Sequence, residues 1–191
     1  MLPDTLDVRA ALIYFHAYMY GPYRGRLRLF RDRGLQPRMV MSEDWEVFTS
    51  ILLRQQGVAS REGPDLGDVE VKSAAAGSSF EYQYHRNSWK KKLEADRRSG
   101  HAFVWYGDDL QAVEVWYSDG QRLASHFSEW EAEEPYSRPS QQRFRKQVSA
   151  GWVREHATLL LRVRDGEAEY EWHRGHTEDD SSNGPPSVAE N

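Results

Sequence analysis

Two charged side chains at positions 70 and 72 have the types and spacing to act together on a phosphate ester. Glu70 and Lys72 are two residues apart, so in a β-strand both point to the same face. Phosphodiester hydrolysis needs a hard cation that neutralises the phosphate and lowers the pKa of an attacking water. Mg²⁺ prefers oxygen ligands and keeps several waters, so one or two carboxylates suffice to hold it. A nearby ammonium group can stabilise charge that develops on the phosphate oxygens.

A second carboxylate ligand has to come from outside this pair. Asp65 is the first candidate, and the carbonyl oxygen of Val71 is a candidate for a further ligand. Five fully extended residues would place Asp65 roughly 17 Å from Glu70, so the chain has to bend between them. Gly67 permits that bend. Asp68, on the predicted Glu70 face, is the alternative ligand.

The residues around this pair predict an ordered series of elements. Ser42 is a suitable N-cap for a helix that Gly57 would close. In the central strand the valines at 69 and 71 alternate with Asp68, Glu70 and Lys72. The predicted elements are a helix over residues 42–56, strands over 58–61, 68–73 and 80–85, a helix over 88–98 closed by Gly100, and strands over 101–106 and 112–117.

Residues 63–73, Gly-Pro-Asp-Leu-Gly-Asp-Val-Glu-Val-Lys-Ser, resemble the signature of the PD-(D/E)XK nuclease superfamily, which includes most type II restriction endonucleases. The family core is a helix, three strands, a helix and a strand. The resemblance therefore implies an α/β (α+β) fold with a restriction-endonuclease-like core around a central mixed sheet. It implies that Asp65, Glu70 and Lys72 are catalytic. It also implies that Asp65 and Glu70 hold Mg²⁺, for which Mn²⁺ can substitute.

The function implied by the resemblance is a Mg²⁺-dependent endonuclease that cleaves double-stranded DNA, most like a sequence-specific type II restriction enzyme. A homodimer is expected, because palindromic sites match two-fold protein symmetry. The alternatives are a nicking or structure-selective nuclease of the same superfamily and a catalytically silent DNA-binding protein with this fold. Many relatives add a helix carboxylate to the metal site, for which the candidates are Glu43, Asp44 and Glu46.

Basic residues fall in three blocks, at 24–38, 86–98 and 138–154, although the formal net charge is −5. Such blocks can form a cationic surface on a protein whose total charge is negative. Gln, Asn and Arg can contact base edges in the major groove, whereas Lys suits phosphates. The predicted DNA contacts are Gln83, His85, Arg86, Asn87, Lys90, Arg143 and Arg145.

The 191 residues suit one domain with a small addition. With no cysteine, and with an early apolar run too short to span a bilayer, we expect a cytoplasmic protein without membrane association. The sequence has no phosphate-binding Gly-rich loop, so no nucleotide cofactor is expected. The predicted core covers residues 1–127 and begins with a helix over 8–20, ended by Gly21-Pro22, and an Arg-rich strand and loop over 23–39. An acidic linker over 128–139 follows it. The predicted addition over 140–174 consists of a basic helix over 140–150 and a hairpin around Asp165-Gly166, and a disordered tail is predicted over 175–191.

Overall fold

The computed structural model describes residues 5–35, 42–58, 63–133 and 142–173. The helices are α1 (Val8–Tyr14), which continues through a π-helical turn (Phe15–Tyr20) into α2 (Gly21–Arg31), then α3 (Ser42–Leu53), α4 (Trp89–Arg98), α5 (Ala124–Ala132) and α6 (Ala150–His156). The strands are β1 (Val69–Ala75), β2 (Phe80–His85), β3 (Gly100–Tyr106), β4 (Ala112–Asp119), β5 (Arg143–Val148), β6 (Thr158–Arg164) and β7 (Glu167–Glu171).

The centre of this mixed α+β fold is a mixed five-stranded sheet with the order β1-β3-β4-β6-β7. β1 and β3 are parallel, and the other neighbours are antiparallel. β2 and β5 form a separate two-stranded antiparallel sheet, which we call the ribbon. The strand predicted at 80–85 therefore forms as expected but pairs with β5. Among the described strands, β1 is therefore at one edge of the central sheet.

The central sheet is covered on both faces. On one face, Val69 and Val71 belong to a core shared with α1, α2 and α3. On the other face, Phe103 belongs to a core shared with α4, α5 and the ribbon. Because side chains alternate along a strand, Glu70 and Lys72 point to this second face. No helix within the described residues is both long enough and apolar enough to cross a membrane.

Several elements agree with the sequence prediction because local pattern and tertiary pairing favour the same structure. The helix from Ser42, β1, β2, α4 and the β3–β4 hairpin all form. The β6–β7 hairpin also forms. Its turn residues Asp165 and Gly166 have φ values of 50° and 91°, as the favoured two-residue hairpin turn requires.

The N-terminal prediction was wrong in two respects. The helix does not end at Gly21-Pro22, and the described residues 23–35 form no strand, because α2 continues to Arg31. The amide of Gly21 donates to the carbonyl oxygen of His16, five residues back, in a π-turn. Pro22 then occupies the first turn of α2, where its missing N–H is tolerated. Residues 36–39 of the predicted loop lie outside the described residues.

The predictions for residues 128–132 and 143–148 were also wrong. Residues 128–132, predicted as linker, belong to α5, because Phe127 and Trp130 are buried three residues apart on one helix face. The predicted basic helix is β5, in which Phe144 and Val148 are buried against the second core. A spacing of four residues fits one face of either a helix or a strand, and pairing with β2 decides for the strand. Residues 134–141 lie outside the described residues.

The two predicted glycine caps were wrong. α3 ends at Leu53, and Arg54, with φ 55°, is the left-handed residue that follows it; Gly57 does not cap the helix. Gly100 is the first residue of β3, and a Cβ there would collide with the Tyr117 ring, so close packing explains this glycine. Within the predicted strand 58–61, Val58 is not in a strand. Residues 59–61 and the predicted tail lie outside the described residues.

Candidate active site

A tight turn brings Asp65 to the edge of β1. Leu66 and Val69 exchange both backbone hydrogen bonds, at 2.9 and 2.7 Å, and Gly67 in the turn has a φ of 55°. The carboxylate of Asp65 accepts a 2.9 Å hydrogen bond from the amide of Val71. The N–H and C=O of one strand residue point to the same side, so the carbonyl of Val71 also faces Asp65. The predicted bend at Gly67 therefore occurs.

Asp68, the alternative ligand, lies elsewhere. It is exposed, and its carboxylate accepts a 3.2 Å hydrogen bond from Gln55. Its carbonyl oxygen accepts from the amide of Gly100 at 2.8 Å, which fixes the turn to the start of β3. The structure thus brings Asp65, and not Asp68, to Val71.

Glu70 is almost completely buried, with an exposed fraction of 1%. One of its oxygens, Oε1, accepts from Lys72 Nζ at 2.5 Å and from Lys92 Nζ at 2.9 Å. Lys92 comes from α4, so two elements direct ammonium groups to one carboxylate oxygen. The other oxygen, Oε2, is buried and has no hydrogen-bond partner among the described residues.

The pKa shifts follow from these contacts. Burial opposes the charged form of Glu70, but Lys72 and Lys92 outweigh it, so the pKa of Glu70 is lowered. Burial likewise opposes charge on Lys72, but Glu70 and Asp65 outweigh it and raise the pKa of Lys72. Burial and the neighbouring Glu70 raise the pKa of Asp65. The pair Glu70 and Lys72 is therefore charged at neutral pH, and a cation beside Asp65 would favour the charged form of its carboxyl.

A buried polar network lies beneath the two lysines. Asp96, four residues after Lys92 on α4, accepts a 2.8 Å hydrogen bond from the hydroxyl of Tyr84. His101 Nε2 donates to the carbonyl oxygen of Asp96 at 2.8 Å, so Nδ1 accepts from the hydroxyl of Tyr82 at 2.9 Å. Burial lowers the pKa of His101 to about 4, so the ring is neutral at pH 7. The ring of Tyr82 lies 5.1 Å from Lys72 Nζ.

Asp96 gives the fold a testable pH dependence. Burial and the charge of Glu70 raise the pKa of Asp96 to about 6, from 3.8. Its contribution to stability is therefore complete below about pH 4 and is lost as the pH rises through 6. Asp96→Asn keeps an acceptor for Tyr84 and removes this loss. The unfolding free energy of the variant minus that of the unmodified protein should therefore be about 1–3 kcal/mol larger at pH 8 than at pH 4.

Urea unfolding at the two pH values measures this difference. Asp68→Asn, at an exposed position, is the matched control and should show little change. If the unfolding free energies of Asp96→Asn and the unmodified protein differ by the same amount at pH 4 and pH 8, the raised pKa of Asp96 is contradicted.

The donors at the edge of β1 fit a hard cation. Within the described residues, no three His, Cys, Asp or Glu side chains gather closely enough to form a metal site by themselves. Three oxygen donors belong to this cluster: the carboxylate of Asp65, the Oε2 of Glu70, which has no hydrogen-bond partner among the described residues, and the carbonyl of Val71. Two carboxylates and a carbonyl suit Mg²⁺, which keeps waters for its remaining positions.

Among the three helix acids, Glu46 is the one whose pKa is shifted by its surroundings, which include Asp65. Burial and the charges of Asp65 and Glu43 raise the pKa of Glu46, and Glu70 and Lys72 also act on it. Asp44 faces α1 instead, where its carboxylate accepts from the hydroxyl of Tyr14 at 3.4 Å.

The predicted DNA contacts fall into two neighbouring groups. Gln83 and His85 lie on β2 directly opposite Arg145 and Arg143 on β5. The second group, Arg86, Asn87 and Lys90, follows β2 at the start of α4. Arg143 and Arg145 were predicted to lie on a separate helix. They lie instead on β5, on the same surface as Gln83 and His85 of β2.

The sequence prediction missed the roles of Lys92, Asp96 and His101. Lys92 and Asp96 are spaced four residues apart and thus lie on one helix face, which is a weak signal because charged residues are common on helices. The burial of that face against β1 is visible only in the fold. No protein-family model matches the chain, and no curated protein sequence matches it.

Proposed function

We propose that this protein is a Mg²⁺-dependent endonuclease of the PD-(D/E)XK kind that hydrolyses phosphodiester bonds of double-stranded DNA. One observation supports this most: Asp65, Glu70 and Lys72 interact with one another at β1, which is an edge strand of the sheet among the described residues, and the buried Oε2 of Glu70 lacks a hydrogen-bond partner there. An unpaired buried carboxylate oxygen is costly, and a cation would satisfy it.

The roles of the residues follow from their charges. A bound Mg²⁺ would neutralise the phosphate and lower the pKa of a bound water. Asp65, Glu70 and the Val71 carbonyl would hold it. Lys72 and Lys92, held at Glu70, would place positive charge beside the phosphate oxygens. Attack by a water oxygen forms one P–O bond and breaks the P–O3′ bond; the water loses a proton and the 3′ oxygen gains one. The products are a 5′-phosphate and a 3′-hydroxyl.

The narrower proposal is a type II restriction endonuclease that acts as a cytoplasmic homodimer, with Mn²⁺ able to replace Mg²⁺. It is supported by the motif at residues 63–73 and by the order α3, β1, β2, α4, β3, which is the order of the family core apart from its first strand. The polar and basic side chains beside the site, on β2, β5 and the start of α4, support DNA as the substrate.

Incubation of supercoiled plasmid with the protein and Mg²⁺ tests the proposal. Discrete linear fragments support a restriction enzyme, whereas open circles alone support a nicking enzyme. DNA binding without cleavage in any divalent metal would support a silent DNA-binding protein and contradict the nuclease proposal. Steep weakening of binding with salt is expected, because phosphate contacts release counterions.

Glu46→Gln is expected to raise the Mg²⁺ concentration needed for half-maximal cleavage by about 10- to 100-fold, the usual effect of removing a group that supports a metal site. The reason is that Glu46 adds negative charge near Asp65. A titration of cleavage rate against Mg²⁺ measures the shift. Asp44→Asn, two residues away on the same helix, is the matched control. Equal titration curves for Glu46→Gln and the unmodified protein would exclude Glu46 from the metal site.

A further inference from the structure

The ribbon has a polar outer face beside the candidate active site. Residues directly opposite each other in an antiparallel pair share a face. Gln83 lies opposite Arg145, and His85 lies opposite Arg143. His85 and both arginines are exposed, and Gln83 is half-buried. Pairing of β2 with β5 thus joins two distant parts of the sequence into one surface.

The inner face of the ribbon anchors this surface to the catalytic residues. Tyr82 and Tyr84 are fully buried. Tyr82, next to Gln83, places its ring 5.1 Å from Lys72 Nζ. Tyr84, next to His85, donates to Asp96 at 2.8 Å. The outer face is therefore held at a fixed position relative to the candidate active site.

We propose that the outer face of the ribbon enters the major groove of DNA and reads base edges. This inference rests on the proposed function, which takes double-stranded DNA as the substrate. The major groove is about 12 Å wide and admits a two-stranded β-ribbon. Each strand has six residues and so spans about 20 Å. Arg145 can make two hydrogen bonds to one guanine and Gln83 two to one adenine.

The composition of the face favours base edges over phosphates. A phosphate-binding surface is dominated by positive charge, whereas this face alternates arginines with Gln83, Gln147 and Glu81. Glu81 pairs with Arg145 at 3.5 Å, and their side chains are 40% and 62% exposed. Such a solvent-exposed pair is weak, so Arg145 can leave Glu81 for another partner. Carboxylates repel phosphates but can accept from a cytosine amino group.

The face does not suit an apolar protein interface. Within the described residues, the large apolar side chains that are exposed lie at positions 13, 18, 29, 35, 47 and 58, and none is on the ribbon. The basic residues next to the ribbon at the start of α4, Arg86 and Lys90, are suited to the phosphates that flank a groove.

Sequencing of the DNA ends produced from genomic DNA in Mg²⁺ tests this proposal. The unmodified protein is expected to leave ends that share a motif. Gln83→Ala and Arg145→Ala should each reduce the preference at one or two base pairs of that motif by about tenfold or more. Arg164→Ala removes an exposed arginine from β6, away from the ribbon, and should leave the motif unchanged.

Two results would overturn the ribbon proposal while leaving the nuclease proposal intact. One is cleavage by the unmodified protein without any shared motif. The other is slower cleavage by Gln83→Ala and Arg145→Ala at an unchanged motif, which indicates phosphate contacts. Selection of bound duplexes from a random library with Glu70→Gln gives the same readout without cleavage. A motif there that Gln83→Ala removes would support the ribbon proposal even if the nuclease proposal failed; a selection without a motif would overturn it.

Discussion

Lys72→Met is expected to lower the rate of DNA cleavage in Mg²⁺ by about a hundred- to a thousand-fold, the usual effect of removing one group that stabilises transition-state charge. Lys72 Nζ lies 2.5 Å from Glu70 Oε1 at the edge of β1, and only 15% of its side chain is exposed. Methionine retains the length and the apolar contacts of this side chain but carries no charge. Single-turnover rates on one plasmid substrate measure the effect.

Lys146→Met is the matched control for Lys72→Met. Lys146 is also partly buried and ion-paired, but its partner is Glu133. This variant is expected to cleave at close to the normal rate. Thermal unfolding of both variants checks that the fold is kept. A normal cleavage rate for a folded Lys72→Met variant would contradict the catalytic role of Lys72.

Phe48→Ala is expected to lower the free energy of unfolding by about 3–5 kcal/mol, as other large-to-small changes of buried phenylalanines do. Phe48 has an exposed fraction of 0%. Its ring meets those of Phe15 and Trp45 edge to face, with centroids 5.9 and 5.7 Å apart. These contacts hold α3 on the face of the sheet that contains Val69 and Val71. Loss of the ring therefore leaves a cavity where α1, α3 and β1 meet.

Urea unfolding measures the loss, and Val47→Ala is its matched control. Val47 is adjacent on α3 but 42% exposed, so its truncation should cost less than about 1 kcal/mol. Equal losses for Phe48→Ala and Val47→Ala would contradict the packing of α3 against the sheet.

The sequence was sufficient where local pattern and tertiary contacts agree. Alternation around Glu70 predicts β1, and the need to bring Asp65 to Glu70 predicts the bend that Gly67 makes with a φ of 55°. The hairpin at Asp165-Gly166 follows from turn chemistry alone. In these segments, residues close together in the sequence favour the same backbone conformation that the fold requires.

Prediction failed where distant contacts decide. The four-residue spacing of the buried Phe144 and Val148 in β5 is compatible with a helix or a strand. The pairing with β2, which lies 58 residues or more earlier in the chain, makes it a strand. Likewise, the sequence does not choose among Glu43, Asp44 and Glu46. In the structure Asp44 accepts a hydrogen bond from Tyr14 of α1, and Glu46 is the acid whose pKa is raised by the charge of Asp65. Lys92 joins Glu70 only because α4 packs against the same face of β1.

Loss of supercoiled plasmid over time, compared between the unmodified protein and Glu70→Gln in Mg²⁺, tests the central proposal most directly. Glutamine keeps the shape of the buried side chain but lacks the charge that would hold a cation between Glu70 and Asp65. We predict that the unmodified protein cleaves the plasmid in Mg²⁺ and stops when the metal is chelated, and that Glu70→Gln does not cleave it. Equal cleavage by the two proteins, or cleavage that persists without divalent metal, would contradict a metal-dependent nuclease centred on Glu70.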